Sequence, residues 1–310
     1  MLSFISLKHP AVTRVVAKPT SVAAVVTAVA LMVSGCTIGD VSEQSSDSQP
    51  AEASASDDAK PQPTRGPQGS ANDPATGQGG GSASGPLDAK ALKEMLLPGT
   101  AIGIAGIGEA GDITIPAWST IKVPIAIAAE RAGTAQPQWI SAAISASDNA
   151  AAEQLWNSLG TPEQAAAATE AVLAEGDSPI AVSRVASRPG FSPYGQSQWT
   201  FQEQADLASN LRCLKGGENV LAAMEKIEPG QAYGLGQIPG AIFKGGWGPD
   251  ESGSYDVRQF GLVPTGGGKY AAVAIGAKST DGSHESAQSQ LNSLSAALQT
   301  RLADLPPAKC

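Results

Sequence analysis

The sequence predicts an α+β domain of three layers, α/β/α, with a mainly antiparallel five-stranded sheet covered by helices and an adjoining all-helical lobe. Three observations predict it. Strand-like runs cluster at both ends of residues 86–310, an almost wholly helical stretch lies between them, and the chain closes on a helix with one apolar face. Two separated groups of strands must pair with one another, and the helices between them form a lobe beside the sheet. A cleft between lobe and sheet is the expected place for a site.

Taken in order, "TAIGIAGI" (100–107) and "DITIPAW" (112–118) flank the turn residues "GEAG" and read as an antiparallel hairpin. Helices are expected near 119–132, 138–146, 149–158, 161–175, 200–214 and 218–228. Three further strands follow: "AIFKGGWG" (241–248), "YDVRQFGLV" (255–263) and "KYAAVAIGAK" (269–278). Leu291, Leu294, Leu298, Leu302 and Leu305 recur every three or four residues and so share one face of the closing helix. No internal repeat is evident.

The chain has 310 residues, 42% hydrophobic and 16% charged, enough for a sizeable core in one folded domain. Residues 1–35 stand apart. They carry Lys8, Arg14 and Lys18 without an acid, then an apolar run from Val22 to Val33 that is too short to span a bilayer. This is the pattern of a secretory signal. Its ending, "LMVSGC", resembles the lipobox of bacterial lipoproteins, which implies that Cys36 is the lipidated first residue of the mature chain. An uncleaved anchor or an ordinary secretory signal is the alternative, and all of these place the domain outside the cytoplasm. Residues 36–85 follow as a tether. From 37 onward they hold seven acids, two bases and almost no large apolar side chain, so they cannot offset the entropy of folding. As a flexible coil they would reach roughly 35–40 Å, holding residues 86–310 off a membrane within the envelope.

The formal charge is −9, and loss of residues 1–35 makes it more negative, which argues against nucleic acid as a partner. Oligomeric state is not written in the sequence. Beyond Cys36 only Cys213 and Cys310 remain; they either pair in an oxidising exterior or stay as free thiols. Without His9 the only histidine is His284, so a Ser-His-Asp relay is not expected and a multi-histidine metal site is excluded. No phosphate loop of the Walker type is present, and no cofactor is expected.

A serine nucleophile here needs a base other than histidine. Ser119 and Lys122 in "STIKVPIAIA" stand at i and i+3 and share a helix face. Apolar neighbours lower a lysine's pKa and so make it a base. At a helix start, free N–H groups favour negative charge developing near Ser119. A Ser-x-x-Lys spacing is weak by itself, because an N-capping serine followed by a lysine would look the same. Two further elements sharpen it: Ser147-Asp148-Asn149 at a helix junction, and "FKGGWGPD" (243–250) on a strand.

With these three motifs in this order, residues 86–310 resemble the penicillin-recognising serine enzymes, the class A β-lactamases and the D-alanyl-D-alanine peptidases or penicillin-binding proteins. The resemblance implies that Ser119 is acylated and Lys122 takes its proton. It implies that Ser147 relays a proton to the leaving nitrogen and that Asn149 holds the substrate amide and contacts Lys122. Lys244 would attract a substrate carboxylate and help keep Lys122 neutral, and the N–H groups of Ser119 and Trp247 would form the oxyanion hole. Gly245 and Gly246 would let substrate approach a bare strand edge. Asp148 would organise its turn. Arg258 is either a second anion contact or an arginine solvated on the sheet face. The substrate implied is a β-lactam or a peptidoglycan-type peptide.

Three departures from the pattern bear on catalytic power. Gly245 replaces the hydroxyl residue of the third motif, removing a hydrogen bond worth about 1.5–3 kcal/mol. Only 28 positions separate Ser119 from Ser147, so the helical lobe is trimmed. The loop 178–200, which corresponds to the Ω-loop that supplies a water-activating glutamate in class A β-lactamases, contains no Asp or Glu. Gln196 and Gln198 in this loop could orient a water, but an amide is a poor base. The expected function is a serine acyl-transfer hydrolase that deacylates slowly; the alternative is a catalytically silent member that binds cell-wall peptide or a protein partner.

Overall fold

The computed structural model describes residues 87–310; the signal-like segment, Cys36 and the tether lie outside the described residues. Five strands, β1 (Thr100–Ile104), β2 (Gly108–Ala110), β3 (Ile242–Pro249), β4 (Tyr255–Gly266) and β5 (Lys269–Lys278), form one sheet in the order β2-β1-β5-β4-β3. Every neighbouring pair is antiparallel. The two groups of strands join where β1 pairs with β5, from Thr100 opposite Ala277 to Ile104 opposite Val273. β3 is left as an edge strand, with alternate backbone groups facing outward.

Eight α-helices accompany the sheet among the described residues: α1 (Ala89–Met95), α2 (Lys122–Ala132), α3 (Pro137–Ser145), α4 (Asn149–Asn157), α5 (Pro162–Glu175), α6 (Phe201–Asn210), α7 (Glu218–Met224) and α8 (His284–Gln299). None is long and apolar enough to cross a membrane. Along the strands side chains alternate between two cores. Phe260, Leu262, Ala272 and Ala274 pack with the helical lobe. Val257, Val263, Val273 and Ile275 pack with Leu291, Leu294 and Leu298 of α8. Every residue of α2 from Lys122 to Ala129 is buried, so this helix is apolar all round and forms the axis of the lobe.

The predicted strand 112–118 is not one. The pairing partner of β1 is the short β2, inside the residues read as a turn; after Gly111 the chain leaves the sheet and makes only an isolated bridge between Pro116 and Gln198. The reason is local: the carbonyls of Ile115 and Pro116 accept hydrogen bonds from Arg258, at 2.6 and 3.2 Å, instead of joining a ladder. Helix α1, capped by the Asp88 side chain, was not expected. Helix α8 ends at Gln299, so Leu302 lies in a following 3-10 turn and Leu305 just after it.

The last residues are strapped to α6. Lys309 N–H donates to Ser209 Oγ at 2.9 Å and Cys310 N–H to the Ser209 carbonyl at 3.2 Å. Cys213 stands beside Cys310 with Cα atoms 5.8 Å apart, inside the span of a disulfide.

Candidate active site

Ser119 sits in a 3-10 turn, Trp118–Ile121, that runs directly into α2. The turn begins under strain. Trp118 has φ +47° and Ser147 has φ +61°, two of only three non-glycine residues with positive φ among those described. Such conformations cost of order 1–3 kcal/mol and persist where the surroundings enforce them. Both lie at the predicted motifs, Trp118 immediately before Ser119 and Ser147 as the first residue of Ser147-Asp148-Asn149.

Lys122 is 2% exposed, and its stem runs from α2 to the junction before α4. There Nζ donates to the Ser147 carbonyl at 2.5 Å, the Asp148 carbonyl at 3.2 Å and Asn149 Oδ1 at 2.8 Å. No hydrogen bond joins Lys122 Nζ to Ser119 Oγ among the described residues; the 3-10 geometry of the turn and the three acceptors draw the amine toward the junction. Burial pushes the Lys122 ammonium down to about 7, with Asp148 partly opposing the shift. Asp148 caps α4 by accepting the Ala151 N–H at 2.6 Å.

Lys244, on β3, is fully buried and donates to Ser147 Oγ at 2.8 Å and to the Gly245 carbonyl at 2.8 Å. Its pKa lies well below the ordinary lysine value, first through burial and then through repulsion from Lys122. Segments from α2, the α3–α4 junction and β3 therefore meet in one polar cluster. Two buried amines this close disfavour simultaneous charging, and Ser147 bridges them, its carbonyl to one and its hydroxyl to the other.

The two glycines after Lys244 differ. A Cβ on Gly246 would lie 2.7 Å from the Ser119 nitrogen and 3.0 Å from the Thr120 nitrogen, so β3 passes the Ser119 turn at a distance only glycine permits. A Cβ on Gly245 would face the other side of the strand, with its nearest atom 3.7 Å away on Gln259. That position has room for a side chain. Trp247 is half-buried, its ring 5.8 Å from that of His284.

Arg258 fits neither expectation. It is wholly buried, not solvated, and its donors go to Gln204, Ile115, Pro116 and Trp199, with Phe201 stacked at 4.8 Å. Five hydrogen bonds use all five N–H groups, leaving none for a substrate anion. Gln196 is likewise committed. It accepts from Ser187 Oγ and the Arg188 N–H and donates to carbonyls of Arg188, Phe191 and Ser192, so it shapes the loop 178–200 instead of holding a water. Gln198 is exposed on the rim of a cavity behind Trp118.

A second cavity opens beside Asn149 and includes Glu153, Trp156, Phe191 and Tyr194. Sequence reading missed it. Its signal was the i, i+4 spacing of Asn149 and Glu153, which puts both on one face of α4.

No protein-family model matches the sequence, and no curated protein does. Solved structures do. The chain is similar to the TLA-3 extended-spectrum beta-lactamase, with a TM-score of 0.56 at 12% identity over 69% of this chain and 98% of that one. It is similar to a class A beta-lactamase from Bacteroides cellulosilyticus DSM 14838, with a TM-score of 0.53 at 15% identity over 66% and 92%. A beta-lactamase from Sphaerobacter thermophilus DSM 20745 matches with a TM-score of 0.50 at 20% identity over 67% and 92%. Residues 87–310 have the fold of the class A β-lactamases.

Proposed function

We propose that the chain is a serine acyl-transfer hydrolase of the β-lactamase and penicillin-binding class, held at the cell membrane through a lipidated Cys36, and slow to release its acyl group. The observation that carries this reading is the cluster of two buried lysines around Ser147 and Asn149, one of them brought to about 7, beside a strained turn bearing a serine. A buried pair of unneutralised amines destabilises a fold, and a base with a pKa near 7 is what a serine nucleophile without histidine requires.

In the proposed reaction, neutral Lys122 takes the proton from Ser119 Oγ as the oxygen attacks the substrate carbonyl. The developing oxyanion is met by the N–H groups of Ser119 and Trp247. Ser147 then gives its proton to the departing nitrogen and is reprotonated through the lysine pair, leaving an ester on Ser119. Arrival of a substrate carboxylate favours the charged form of Lys244 and, by repulsion, the neutral form of Lys122. Water must cleave the ester, and the loop 178–200 offers it no carboxylate. The substrate is a β-lactam or a peptidoglycan-type peptide ending in an amide that the serine can attack.

The test is to incubate the purified chain with a fluorescent penicillin and follow it by intact mass. The expected result is a stoichiometric adduct that persists for minutes or longer and is absent from Ser119→Ala. An adduct cleared within seconds overturns slow release; no adduct at any concentration or time favours a silent, binding-only protein.

A further inference from the structure

We propose that the cavity beside Asn149 is a subsite for a positively charged amine on the substrate, recognised by the Glu153 carboxylate and the rings of Trp156 and Tyr194. The proposal rests on the acyl-transfer reading, because Asn149 is the residue that the cavity shares with the candidate site.

The cavity holds about 310 Å³, the lower end of the range for small-molecule sites, and lies between α4 and residues 190–194. Its walls combine aromatic and proline side chains with the polar Asn149, Asn157 and Ser192, and Trp156 and Tyr194 pack at 4.9 Å between centroids. Glu153 is the only charged side chain in its lining. It is exposed, and it pairs with no cation or hydrogen-bond donor among the described residues. Burial pushes the Tyr194 hydroxyl up to about 12, with a hydrogen bond to Ser192 opposing the shift and the Glu153 charge adding a smaller part.

Nearby cations have partners other than Glu153, and one of them stands against the outer ring of the cavity wall. Arg188 lies over Phe191 at 4.6 Å and donates to the carbonyls of Pro249 and Asp250. Arg184 pairs with Glu170 at 2.9 Å, and the Lys122 amine is held at the junction before α4. What remains is one uncompensated carboxylate beside aromatic faces, a combination that favours an ammonium over a neutral group and rejects an anion. Asn149 accepts from Lys122 with its Oδ1 and also lines the cavity. A substrate amide held there would place an amine-bearing side chain in the cavity while its reacting bond stays with Ser119.

The experiment measures binding without acylation. The full chain carrying Ser119→Ala is titrated by calorimetry with lysyl-D-alanyl-D-alanine acetylated at the α-amine alone, and with the same peptide acetylated at both amines. The free side-chain amine is expected to bind about tenfold tighter, a preference that shrinks as salt is added. Glu153→Gln in that chain should bring the ratio near one, and Glu153→Lys should invert it. Equal affinities, a ratio that survives Glu153→Gln, or no binding of either peptide overturns the proposal. Failure of the acyl-transfer reading shows separately, as absence of a penicillin adduct on the native chain.

Discussion

At the scale of single residues, the site depends on how little charge two lysines carry. Lys122 is brought to about 7 by burial, so it is mostly protonated below that pH and mostly neutral above it. A base acts when neutral. The rate constant for penicillin adduct formation is therefore expected to rise close to tenfold per unit from pH 5 and to flatten above about 7; a profile that is flat, or falls over this range, excludes Lys122 as the base. The residues of this cluster were legible in the sequence because Ser119, Lys122, Ser147, Asn149 and Lys244 stand in short motifs whose order is distinctive. Their contacts were not. Sequence spacing suggests that Ser119 and Lys122 share a helix face, but it does not show that the amine's hydrogen bonds go to three acceptors around the α3–α4 junction. Arg258 was misjudged for a similar reason: strand alternation tells which face a residue takes, not whether that face is covered by α6.

At the scale of elements, β3 is an edge strand that must run against the Ser119 turn with almost no clearance. Gly246→Ala places a methyl 2.7 Å from the Ser119 nitrogen, so adduct formation is expected to fall by about a hundredfold or more, with the melting temperature lowered as well. Gly245→Ser meets only ordinary contacts and returns a hydroxyl to the strand. It is expected to fold normally and to form the adduct several-fold faster. Native rates in Gly246→Ala would contradict the close approach. The sequence shows two adjacent glycines and cannot distinguish the one that lets another backbone in from the one that leaves a hole. It was also silent on β2, because three residues are too few to carry a period, whereas β4 and β5 alternate long enough to be read.

For the whole molecule, the sheet and the lobe were legible because two clusters of strands separated by helices admit few other arrangements, and all five strands join one sheet. The pairing of Cys213 with Cys310 was not legible, since two cysteines in a chain leave both states open. A bridge across 97 residues limits the unfolded chain enough to stabilise it by about 4–5 kcal/mol. Replacing both cysteines by alanine is expected to lower the melting temperature by roughly 8–20 °C, and the oxidised native chain should weigh two hydrogens less than the reduced one; an unchanged mass on reduction would show two thiols. Arg258 ties β4 to α6 and to the stretch leading into Ser119, so its guanidinium seats the Ser119 turn from within the core. A mutational screen scored on turnover alone would list it among the substrate contacts, and a medicinal chemist following that list would aim an inhibitor's acid at a group no ligand can reach.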